Sequence, residues 1–150
     1  MGHRHKARRL ALQFLFQIDS RDEDLGVALE RFEAAFGLDP KLSGFFLSLV
    51  KGVSDNLAEL DRMIESRSHN WRLARMARVD RNILRLAVYE LRFSQGVPDK
   101  VVINEAIELA KDFGTDESGS FINGVLDSVR STVPAKNEAG TDSAESLGKA

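Results

Sequence analysis

Apolar residues recur along this chain with the period of an α-helix, and no segment alternates as a half-buried strand does. Ala7, Ala11, Phe14, Leu15 and Ile18 form a first stripe. Asp24 can cap a second helix whose stripe is Leu25, Ala28, Leu29, Phe32 and Phe36, closed by Gly37. Asp39-Pro40 opens a third, and its stripe runs unbroken through Leu42, Phe46, Leu49, Val50, Val53, Leu57, Leu60 and Ile64, one long helix. Gly44 and Gly52 lie inside it, where each weakens the helix, so both are expected to serve close packing. Residues 70–77, around Trp71, form a short helix or turn. Val79 to Phe93 is apolar on most sides and becomes the central, most buried helix, with Arg81, Arg85 and Arg92 on one remaining face.

Gly96-Val97-Pro98 breaks the chain. Ile103, Ala106, Ile107, Ala110 and Phe113 follow as a stripe ended by Gly114. Thr115 then caps a last helix, with Asp116 and Glu117 in its first turn and Ile122, Val125, Leu126 and Val129 on its core face. The fold class is all-α, about seven helices. At 150 residues and 43% hydrophobic the chain is one domain with a real core, read as residues 1–133. The Ala/Gly/Ser/Glu-rich stretch 134–150 is expected to be a disordered tail.

Charge adds a direction to this frame. The first eighteen residues hold Arg4, Lys6, Arg8 and Arg9 and no acid. Removing those four from the chain's 21 bases leaves 17 against 23 acids, a formal −6 for the rest. A cationic end on an anionic body suggests an anionic partner, nucleic acid above all. At about 100° per residue Arg9 points away from the apolar stripe, with Lys6, Gln13 and Phe16 within about 60° of it. Arg8 is also expected off the stripe. Phe16 therefore belongs to the polar face, where a ring beside phosphate-binding charge is a stacking platform for single-stranded RNA. The alternatives are a solvated basic face with one stray aromatic, or a ring covered by another helix.

Candidate chemistry is thin. There is no cysteine, hence no disulfide framework or thiolate metal site, which fits a reducing compartment. No apolar run reaches membrane-span length, and the N-terminus lacks the apolar core of a secretory signal. His3, His5 and His69 do not form a metal-ligand pattern. No nucleophile elbow or phosphate-cradling glycine motif is present. Glu105, Glu108, Asp112, Asp116 and Glu117 cluster in sequence but read as a solvated face plus caps. The chain is thus not expected to be an enzyme or to hold a cofactor or metal. Asn104 and Asn123 are poor helix formers inside helices. Gly124 lies opposite its helix's core face, where a glycine suggests close backbone approach. Phe113 and Phe121 sit at the core edge.

These segments carry a resemblance. Val79-Asp80-Arg81-Asn82-Ile83-Leu84-Arg85-Leu86-Ala87-Val88-Tyr89-Glu90-Leu91 resembles the central-helix signature of the NusB transcription antitermination family. The block from Pro98 through Ile103-Asn104-Glu105-Ala106-Ile107-Glu108-Leu109-Ala110-Lys111 to Phe121-Ile122-Asn123-Gly124-Val125-Leu126-Asp127 is similar to that family's most specific motif. The first helix fits too, so the likeness spans about residues 4–130. It implies two small packed helical subdomains and a cytoplasmic protein. It implies binding of single-stranded boxA-type RNA together with NusE, a small-subunit ribosomal protein, within the RNA polymerase antitermination complex on ribosomal RNA operons. The RNA residues it implies are Arg4, Lys6, Arg8, Arg9, Gln13, Phe16, Arg85, Phe113, Glu117 and Phe121; the NusE residues are Asp80, Arg81 and Tyr89. Phe16 stands where the family often has Tyr. His5 replaces part of a denser arginine cluster, which implies weaker, pH-sensitive RNA binding. Some family members form homodimers. The competing reading is a helical protein-binding adaptor or homodimer without direct RNA readout.

Overall fold

The structure, a computed structural model, describes residues 2–134 other than Ser20, Asn70 and Gln95. The expected tail beyond Pro134 lies outside the described residues. Within them the chain is helical: α1 His3–Ile18, α2 Leu25–Phe36, α3 Pro40–Asp55, α4 Leu57–Arg67, a 3₁₀ turn Leu73–Arg75, α5 Arg78–Phe93, α6 Asp99–Phe113 and α7 Ser118–Arg130. The count of seven α-helices holds in a different way from the sequence reading. The long stripe is cut into α3 and α4 at Asn56, and residues 73–75 are only a 3₁₀ turn.

Local chemistry explains the boundaries. Asp24 caps α2 by accepting from Val27 N–H, and Gly37 closes it at φ 61. Asp39 accepts from Lys41 N–H ahead of Pro40 at the start of α3. At Asn56 the side-chain amide donates to Gly52 O at 2.8 Å while the backbone leaves helical geometry, a competition between side chain and ladder that ends α3. Leu57, expected inside the stripe, is exposed beyond the break. At the last turn one expectation holds and one is corrected. Gly114 closes α6, its N–H donating to Ala110 O, with extended backbone. Its value is space, because a Cβ there would meet Ser118 Cβ at 2.7 Å and Ala110 O at 2.9 Å. Thr115 does not cap α7: it holds a turn before it, donating its N–H to Ser118 Oγ at 2.9 Å, and α7 starts only at Ser118.

One apolar cluster runs through all seven helices. Helix α5 is its axis, packed by α1, α3, α4, α6 and α7. Towards the N-terminal end Phe14, Phe32 and Phe46 interlock, with ring centroids 5.4 to 6.0 Å apart. Gly52 is the point of closest approach between α3 and α5, since any Cβ there would collide with the Tyr89 ring. Gly44 does not serve packing; nothing lies within 4 Å of where its Cβ would be. The same holds for Gly124, so close approach within this chain is not its role. Helix α2 is held lightly, by Ala28 and Phe32, and leaves Phe36 exposed. No helix of the described residues is long and apolar enough to cross a membrane.

Candidate nucleic-acid interface

The cations of α1 divide between the interior and the surface. Arg8 turns inward. It is 4% exposed and donates to both carboxylate oxygens of Glu90, 2% exposed, at 2.7 and 2.8 Å. The expectation that Arg8 lies off the apolar stripe is therefore corrected. Its guanidinium occupies the α1–α5 interface and is not available to RNA. Burial opposes its charge, but the Glu90 hydrogen bonds and the Glu90 and Glu105 charges outweigh it and raise its pKa further above the ordinary arginine value. Glu90 is the signal that could have revealed this: an acid inside a helix apolar on most sides needs a buried cation. His5 is buried too, bonded to Glu105 at 2.8 Å. It ties α1 to α6 instead of standing in a solvated arm.

Arg9 does face outward, as the helical wheel predicts. It is half-exposed, lies 4.8 Å above the Phe113 ring centroid and pairs with Asp112 at 2.5 Å. The α6 acids expected to be a solvated face thus include two, Glu105 and Asp112, that clamp α1. Arg4 is exposed and lies over the Phe45 ring at 4.9 Å. Lys6 is exposed with no ion pair among the described residues.

Phe16 is 37% exposed, on the polar face where the periodicity puts it. Arg78, from the start of α5, lies over its ring at 4.9 Å. Phe16 lines an open groove of about 390 Å³ with Leu12, Gln13, Phe36, Val79 and Phe113. Amides and aromatic rings line this groove, with Arg78 over the Phe16 ring and Arg9 over the Phe113 ring, a combination that suits an unstacked base. On the other side of the α5 start lies a second groove, lined by Trp71, Arg75, Asp80, Thr115, Glu117 and Phe121 among others. Phe121 is half-buried there, edge-on to Trp71 at 6.2 Å. Asp80 does not cap α5. One of its carboxylate oxygens is buried beside this groove with no hydrogen-bond partner among the described residues.

The remaining expected site residues lie elsewhere. Arg81 donates to both oxygens of Asp19 at 2.7 and 3.0 Å, joined by Asn82 at 2.7 Å. Arg85 is bidentate to Asp61 at 2.9 and 3.1 Å and 3.5 Å from Asp19. Arg85 is thus removed from the RNA set, because acids from the α1 end and α4 neutralise that face of α5. Burial disfavours the charged Asp19 carboxylate, yet the Arg81 and Asn82 hydrogen bonds and the arginine charges outweigh it and hold its carboxyl below the usual range. Tyr89 is seated on Gly52 and beside Phe93, 5.4 Å between centroids. Asp80, Arg81 and Tyr89 therefore have three separate surroundings rather than one patch.

The sequence reading passed over one feature altogether. From Ser66 to Val79 the chain has Arg67, Arg72, Arg75, Arg78 and His69 and no acid. The one tryptophan, Trp71, stands among them 51% exposed. Among the described residues no cluster of His, Asp or Glu could hold a metal ion. What the arrangement offers is stacking faces and cations.

Known proteins align with this chain over nearly all of its described length. A family model described as the NusB family matches residues 5–131. A transcription antitermination protein NusB from Desulfatibacillum aliphaticivorans is 51% identical over 129 residues, covering 86% of this chain and 90% of that protein. Among solved structures, NusB of T. maritima superposes with a TM-score of 0.82 at 39% identity, covering 90% of this chain and 95% of that one. NusB in a structure of antitermination factors NusB and NusE with double-stranded RNA superposes at 0.79 and 27% identity, covering 87% and 98%.

Proposed function

The chain belongs to the NusB family, and on that premise we propose that it binds single-stranded boxA-type RNA together with NusE. In that role it supports processive, terminator-resistant transcription of ribosomal RNA operons as part of the RNA polymerase complex. It is an antitermination factor and not an enzyme. The observation that carries the RNA reading is the first groove: Phe16 exposed on α1 beneath Arg78, with Gln13 beside it and Phe113 beneath Arg9. Lys6 and Arg4, exposed on the same helix, belong to this reading as phosphate contacts. Phe121 and Glu117 belong to the same reading across the α5 start. For NusE, we assign the partner contact to Asp80, which lines the second groove.

The test is binding of labelled boxA RNA and a scrambled RNA, with and without NusE, at two salt concentrations. Preference for boxA, a gain with NusE and a steep loss with salt, about 0.7 in log–log slope per phosphate engaged, support the proposal. Equal, salt-insensitive binding overturns it. Light scattering in the same buffers distinguishes the remaining reading, in which the apolar groove around Phe16 and Phe36 covers a second copy.

A further inference from the structure

Two of the four cations expected on α1 are paired within the molecule, Arg8 with Glu90 in the interior and Arg9 with Asp112 at the surface. The guanidiniums of Arg67, Arg72 and Arg75, by contrast, have no ion pair among the described residues and are exposed. The acid nearest in sequence to Arg67 and Arg72, Glu65, is occupied by the Leu73 N–H at 2.7 Å. The segment is also rigidly presented. Trp71 donates its N–H to Ser68 O at 3.2 Å, and its own carbonyl accepts from Ser68 Oγ at 2.6 Å. His69 takes a left-handed φ of 55 to close that turn. The Trp71 ring is thereby held outward, edge-on to Phe121.

This segment connects to the groove at Phe16. Its last arginine, Arg78, lies over the Phe16 ring, while Arg75 and Trp71 line the groove holding Phe121. A third open groove continues beyond, between Arg67, His69, Trp71 and the α7 surface at Ser120, Phe121 and Gly124. Gly124 has open space where a Cβ would project, so a strand can approach the helix backbone there. The third groove has Arg67 and no acid in its lining, two aromatic faces and a bare helix backbone, which fits a single-stranded polyanion with stacking bases better than an acidic protein surface.

We propose that the Arg67–Arg72 stretch, with Trp71, is a second RNA-binding platform that takes the nucleotides flanking the boxA element, next to Phe121. It rests on the RNA reading above and extends the interface from the α1 groove across α5 to α7.

Trp71 is the chain's single tryptophan, so its emission reports the platform directly. Three labelled RNAs are titrated into the full chain by anisotropy, with and without NusE: boxA alone, and boxA extended by eight unstructured nucleotides at the 5′ or the 3′ end. Trp71 emission is followed in the NusE-free arm. The expected result is that one extension binds at least about fivefold tighter, in keeping with the stacking of one base, and that only this RNA quenches Trp71. Arg67→Glu with Arg72→Glu abolishes that gain and lowers the salt slope for the extended RNA by about 0.7–1.4, in keeping with one or two lost phosphate contacts. Binding of boxA alone and the melting temperature stay unchanged. Trp71→Ala loses the gain and Trp71→Phe restores part of it. If boxA binds but neither extension adds affinity, or the gain survives the double variant, the platform is not an RNA site and the function proposed above stands. If NusE alone shifts Trp71 emission and the extensions do not, the segment belongs to a protein contact and the inference is overturned. If no RNA binds under any condition, both fail together.

Discussion

Arg8 of α1 and Glu90 of α5 form a two-pronged ion pair in the interior, 82 residues apart in sequence, with both side chains almost fully buried. Removing one partner strands a buried charge, which costs about 3–5 kcal/mol. Arg8→Ala and Glu90→Ala each lower the melting temperature sharply. Arg8→Met with Glu90→Leu recovers part of the loss, because neither charge of the pair is then stranded. Thermal denaturation of the three variants checks this. A mild loss in Arg8→Ala would mean that the guanidinium is not committed to the interior.

Gly52 and Gly44 lie on one helix with opposite surroundings. Gly52→Ala drives a methyl into the Tyr89 ring and destabilises by about 1–3 kcal/mol, despite alanine's better helix propensity. Gly44→Ala meets open space and gains up to about 1 kcal/mol. Chemical denaturation of the pair reads both signs. Equal effects would show that Gly52 does not set the α3–α5 distance.

Asp19 makes stability depend on acid. Its carboxyl is held below the ordinary value by Arg81, Asn82 and Arg85 after burial has been overcome. A carboxyl with a lowered folded-state pKa contributes stability that is full above the unfolded value, about pH 3.9, and is lost as pH falls through the folded value. Asp19→Asn is therefore less stable than wild type at pH 7, and the gap narrows below about pH 4. A gap unchanged from pH 7 to pH 3 would place the Asp19 contribution in shape rather than charge.

What the sequence made legible follows from where each signal is written. Helical period is local, so α1, α2, α5, α6 and the core face of α7 could be read directly, and the exposure of Phe16 followed from the same wheel. The break at Asn56 was not readable from hydrophobic period, because Leu57 continues the stripe while the amide side chain captures Gly52 O. Partner choice among charges is a tertiary property. The wheel separates Arg9 from the core but says nothing of Asp112, and it gave no warning that Glu90 and Asp19 would take Arg8 and Arg81. The basic run from Arg67 to Arg78 was visible as composition, yet it has no periodic stripe to draw attention. Its meaning depends on the Ser68 turn that turns Trp71 outward.

The central claim is that the α1 face at Phe16 binds RNA rather than packing the core, and one comparison tests it most directly. BoxA RNA affinity in the presence of NusE and the melting temperature are measured for wild type, Phe16→Ala and Leu84→Ala. Leu84 is fully buried, and its truncation costs about 2–5 kcal/mol of stability. Loss of one stacking contact costs about 1–3 kcal/mol of binding, roughly five- to more than a hundredfold. The account predicts that Phe16→Ala weakens RNA binding in that range while melting within a few degrees of wild type. A Phe16→Ala protein that binds RNA as wild type does, or that melts as early as Leu84→Ala, contradicts it.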